Sequence, residues 1–120
     1  MEELTLEERV NKVAKKCMAW RDAWFLDKIN DFLLFEEEEV VVFVKPSYEF
    51  GNFPNPNHDK LRKDFEEAMI IWFSEPENRD KTDFPIRCDS FEVNVVGDDR
   101  ALVRHVVNVF GRSDGYHDWH

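Results

Sequence analysis

Residues 20–44 read WRDAWFLDKINDFLLFEEEEVVVFV, and the fold depends on how this stretch is divided. Its last five residues, Val40 to Val44, are β-branched or aromatic with no polar residue among them, which predicts a strand covered on both faces. Lys45-Pro46 stops it. Upstream, Trp20, Trp24, Phe25, Ile29, Phe32 and Leu33 recur at helical spacing and continue the stripe of Leu6, Val10, Val13 and Cys17. Thr5 and Glu8 make a capping box at the head of that stripe. One helix over residues 6–34 would be about 43 Å long at about 1.5 Å per residue, which a compact chain of 120 residues accommodates poorly. The stretch is therefore read as two helices broken near Arg21–Asp22, with Asp22 capping the second. Glu36–Glu39 either close that helix or open the strand, and periodicity does not choose between them.

Beyond the strand, PSYEFGNFPNPN (46–57) holds three prolines and a glycine and reads as a loop. Asn57 caps a helix running to about Phe73, with Leu61, Phe65, Ala68, Met69 and Trp72 on its buried side. Residues 74–85 are a polar connection. Phe91, Val93 and Val95 then alternate with Glu92 and Asn94, the pattern of one buried and one wet face. Gly97-Asp98-Asp99-Arg100 turns the chain into a second strand running from Ala101 towards Phe110. The expectation is a single α+β domain over residues 1–120. Three helices pack on a curved, mainly antiparallel sheet in the order α-α-β-α-β-β.

That order, carried by EVVVFVKP (39–46), the helix after FPNPN and FEVNVVGDDRALVRHVVNV (91–109), resembles the nuclear-transport-factor-2-like superfamily. The resemblance implies a cone-shaped pocket lined by Trp20, Trp24, Phe91, Val93 and His105, and with it an enzyme or a small-ligand-binding protein. The final long strand of that superfamily has no counterpart before His120.

The formal charge is −10, from 26 acidic and 16 basic residues spread evenly along the chain. Such a field repels phosphate backbones and argues against direct nucleic-acid binding, while it attracts basic proteins, including those that themselves bind nucleic acid. The opening MEELTLEERV is too polar for a signal peptide, and no apolar run approaches the roughly 18 residues of a membrane span. A cytoplasmic protein is expected, with Cys17 and Cys88 as buried thiols, although a disulfide between them stays open.

For chemistry, the sequence assigns no catalytic residue, no metal site and no cofactor. The serines lie in no G-x-S-x-G elbow, the four glycines form no phosphate loop, and the cysteines form no C-x-x-C pair. His117, Asp118 and His120 have metal-like spacing but read as a polar tail. His105 interrupts an apolar alternation and reads as a hydrogen-bonded histidine, with Asp89 or Glu92 as its partner. Asp98 and Asp99 suit a turn. Glu36, Glu37, Glu38 and Glu39 repel one another unless cations stand near, either Lys12, Lys15 and Lys16 or a basic partner. Tyr48, Phe50 and Phe53 sit on a proline-stiffened segment that either presents rings to a partner at low entropic cost or folds them back onto the following helix as a lid on the core. Together these nine residues form the expected contact set of a small acidic interaction module. It would bind and inhibit or escort a basic protein, in the manner of immunity proteins or phage inhibitors of bacterial defence, with carboxylates standing in for DNA phosphates. Self-association through an unpaired hairpin edge is a second mode.

Overall fold

In the computed structural model, which describes residues 4–111, helix α1 spans Leu6–Trp20. Its capping box is formed: the Thr5 hydroxyl accepts the Glu8 amide at 3.1 Å, and the Glu8 carboxylate accepts the Thr5 amide at 2.8 Å. The helix ends at Arg21, and Asp22 takes a left-handed φ of 61° that turns the chain away. Strands β1 (Trp24–Ile29) and β2 (Phe32–Glu37) follow as a hairpin, joined through Asn30 at φ 53°. Two further left-handed residues, Glu38 and Glu39, make the tight turn into β3 (Val40–Phe50).

Asn57 caps α2 (His58–Phe73) by accepting the Lys60 amide at 3.0 Å. A 3₁₀ helix at Pro76–Lys81 leads to β4 (Ile86–Val95), and β5 (Ala101–Val106) returns beside it. The sheet order is β1-β2-β3-β4-β5. β3 and β4 run parallel across the α2 connection, and the other three pairs are antiparallel.

The sheet is buried on both faces. Val10, Ala14 and Met18 of α1 pack on Leu33, Phe35, Val42, Val44, Phe91 and Val93. On the opposite face, Leu61, Phe65, Ala68, Met69 and Trp72 of α2 pack on Phe32, Leu34, Val41, Phe43 and Cys88. β3 feeds both layers, which is why VVVFV shows no polar alternation.

The α+β class stands, but the expected order α-α-β-α-β-β does not. The observed order is α-β-β-β-α-β-β around one mixed five-stranded sheet, with the 3₁₀ helix as its third helical piece. The break at Arg21–Asp22 is real, yet residues 24–37 form a hairpin and not a second helix, so Asp22 caps nothing. In that hairpin Phe32, Leu33, Leu34 and Phe35 are all buried, because a two-faced strand hides every residue and its sequence mimics helical spacing. On α1 the buried seam is Val10, Ala14 and Met18, leaving Val13 and Trp20 exposed. The expected loop at 46–57 is strand as far as Phe50. Pro46 is tolerated there because β2 pairs with β3 only as far as Val44. β4 begins at Ile86, five residues before Phe91, and its Glu92 and Asn94 are buried and not wet. Cys17 and Cys88 are free thiols in the two opposite layers, which closes the disulfide question; Cys88 is buried as expected, whereas Cys17 is only partly so.

Candidate functional site

The four glutamates divide into two pairs. Glu36 and Glu37 end β2 and are tied inward. Lys81 donates to Glu36 at 3.1 Å, Arg21 donates twice to Glu37 at 2.9 Å, and Arg87 reaches Glu37 twice at 3.3 Å. Their cations are therefore not Lys12, Lys15 and Lys16; Lys15 lies over the Phe25 ring and Lys16 over Trp20. Hydrogen bonds from Arg21, and then from Arg87, hold Glu37 down at about 2 against its partial burial. Glu38 and Glu39, on the turn, are exposed.

Arg87 continues this network across the sheet. Its register opposite Val42 puts it on the α1 side, beyond the end of that helix, with Asp89 two residues on. The Asp89 carboxylate is fully buried and accepts from Arg87 at 2.8 and 3.0 Å, from His105 Nε2 at 2.8 Å and from the Asn108 amide at 2.9 Å. Burial alone would raise its pKa, but His105, Arg87 and the Asn108 amide outweigh that and hold it below the usual carboxylate value. The expected contact between His105 and Asp89 is thus present, and its geometry is that of a clamp from β4 to β5. A carboxylate so fully satisfied has little capacity left to act as a base.

On the α2 side, Glu92 accepts from Ser90 at 2.9 Å and from Arg104 at 2.7 Å, and Arg104 lies 4.5 Å from the centre of the Phe53 ring. Phe53 therefore packs down as a half-buried lid and leaves the contact set as an open ring. Tyr48 and Phe50 behave differently. They stand edge to face at 6.2 Å near the end of β3, and Phe50 is 67% exposed. Gly51, at φ 81°, closes the strand by donating its amide to the Val95 carbonyl. The Asp98–Asp99 turn follows Val95, so these two carboxylates share an end of the sheet with Phe50. Glu38 and Glu39 stand at the opposite end, roughly 33 Å away along β3 at about 3.3 Å per residue.

The sequence reading missed two other exposed rings. Trp20 and Trp24 are 73% and 75% exposed where α1 hands over to β1. Helical spacing had placed them in the core, and their true position followed only once β1 was seen as a strand. Phe91 and Val93, by contrast, are packed beneath α1. Trp20, Trp24, Phe91, Val93 and His105 therefore do not surround a common pocket.

Among the described residues, surface recesses open beside the sheet. One of about 220 Å³ separates α1 from the β4–β5 hairpin. A second, about 390 Å³, is lined by Glu7, Val10, Asn11, Asp31, Lys45, Pro46, Ser47 and Tyr48. The third, about 260 Å³, lies between the β1–β2 turn and α2, where Lys60 pairs with Asp64. Among the described residues no group of three or more His, Cys, Asp or Glu is placed to hold a metal ion, and His117, Asp118 and His120 lie outside those residues. No helix among the described residues is long and apolar enough to cross a membrane. Compared with known proteins, the chain matches no family model and no curated sequence.

Proposed function

We propose that the chain is an acidic recognition module that grips a basic protein surface and thereby blocks or escorts it. The observation carrying this reading is the set of large rings left in solvent, Trp20, Trp24 and Phe50 above all, on a chain of charge −10. Exposed tryptophan and tyrosine supply binding energy with few torsions to freeze, and their display at both ends of the sheet is costly unless a partner covers them. The carboxylates divide in the same way. Glu36, Glu37, Asp89 and Glu92 are occupied by internal cations, whereas Glu38, Glu39, Asp98 and Asp99 are exposed beside the rings and free to steer a cationic partner. Tyr48, Phe50, Asp98 and Asp99 form the nearer half of this contact set. Glu38 and Glu39 join Trp20 and Trp24 in the other, since Trp24 pairs with Glu36.

The test is capture of the partner from the native host, followed by titration of that purified protein over a salt series. Affinity is expected to fall at least about tenfold between 50 and 300 mM salt, as the Debye length shortens, and to fall again in the Asp98→Lys, Asp99→Lys double variant. Affinity indifferent to both salt and charge reversal overturns the electrostatic reading.

A further inference from the structure

The open half of β3 is more than a place where two rings are exposed. β2 pairs with β3 over Val40–Val44 only, while β4 runs beside it to Phe50. Among the described residues, no strand lies on the β2 side of residues 46–50. The Val41 amide donates to Pro85 and the Gly51 amide to Val95, both towards β4. Backbone groups alternate sides along a strand, so those of Pro46, Tyr48 and Phe50 point the other way, into the gap. Pro46 has no N–H to leave unpaired there, and it is the first residue past the end of β2. Tyr48 and Phe50 each turn both a donor and an acceptor into the opening.

The gap is a bounded notch. Asp31 of the β1–β2 turn, Glu7 and Asn11 of α1, and Pro46 and Tyr48 of β3 itself all line the 390 Å³ recess there. The cation within it, Lys45, is held by Asp31 at 3.2 Å. From Pro46 to Phe50 the strand rises about 13 Å, enough for four or five residues of a visiting chain. We infer that this notch takes an extended segment of the partner as an added β-strand, with basic side chains directed to Glu7 and Asp31, which line it. Backbone pairing supplies affinity, and the carboxylates select a cationic strand over an anionic one. A second copy of this chain, itself at −10, is disfavoured by the same charges. This inference rests on the recognition reading above and specifies how one end of the sheet would carry it out.

The probe is an acetylated, amidated octapeptide of alternating Lys and Val, used with the intact protein. Its controls are the Glu-Val counterpart and a fully N-methylated Lys-Val peptide of the same charge. Amide exchange read by NMR is expected to slow about tenfold or more at Tyr48 and Phe50 with the Lys-Val peptide and to stay unchanged with Glu-Val. Full N-methylation is expected to weaken binding at least about tenfold, since several backbone bonds are lost together. Equal binding of the methylated peptide, or binding without protection of those two amides, overturns strand addition and leaves the basic-partner reading in place. Protection that grows with protein concentration alone would make a second copy the occupant and overturn it as well. Failure of every cationic probe, the captured partner included, would remove the recognition reading itself.

Discussion

Glu37 is held between two guanidinium groups, and that position makes it a pH-dependent part of the fold. Its folded pKa of about 2 lies well below the ordinary glutamate value, and that of Asp89 is also depressed. Groups of this kind bind fewer protons folded than unfolded, so their stabilisation is complete above the unfolded value and is lost as pH falls through the folded one. Denaturant midpoints are therefore expected to hold from pH 7 to about 5 and then decline steadily towards pH 2. Glu37→Gln should flatten the Glu37 share of that decline and cost about 1–3 kcal/mol at pH 7, because Arg21 and Arg87 lose a charged acceptor. An unchanged acid profile in this variant would contradict the assignment. Of this network the sequence offered only a carboxylate partner for His105, Asp89 or Glu92, and strand register decides for Asp89. Arg21 and Arg87 lie 16 and 50 residues from Glu37, and only strand register brings them together.

At the scale of elements, the β2–β3 turn has residues poorly suited to it. Glu38 and Glu39 take φ of 50° and 63°, a region that costs a residue with a Cβ about 1–2 kcal/mol and that Asn and Gly enter easily. The double change Glu38→Asn, Glu39→Gly is expected to raise stability by about 1 kcal/mol or more, seen as a melting temperature higher by about 4 °C. A lower melting temperature would show that the two glutamates are held by contacts beyond the turn. The same mismatch explains why this hairpin was hidden: four consecutive glutamates announce no turn, whereas Asn57, Thr5 and Glu8 announced their helix ends and gave them correctly. The β1–β2 turn was obscured differently. Asn30 does carry a turn signal, but the buried run Phe32–Phe35 that follows it satisfies helical and two-faced strand patterns alike. Tyr48 and Phe50 were singled out as contact residues for their rings, and they do stand exposed. Their place on a strand edge depended on knowing where β2 ends.

For the molecule as a whole, the rings divide into those that hold the layers together and those that face outward. Phe43 meets Phe32, Phe65 and Trp72 edge to face or nearly so at 5.4 to 6.3 Å, at the centre of the α2 layer. Phe43→Ala is expected to cost about 3–5 kcal/mol in chemical unfolding, while Trp20→Ala and Trp24→Ala should each stay within about 0.5 kcal/mol and weaken partner binding instead. A large stability loss in either tryptophan variant would return that ring to the core.

The parallel pairing of β3 with β4 also has a cost in time on the ribosome. The Val40–Val44 run is complete long before its neighbour, because residues 51–95 must still be made. At about 5–20 residues per second, that wait is roughly 2–9 s. Throughout it, this apolar run of the nascent chain has the β2 hairpin on one side and an unpaired edge on the other, the kind of exposure that favours aggregation.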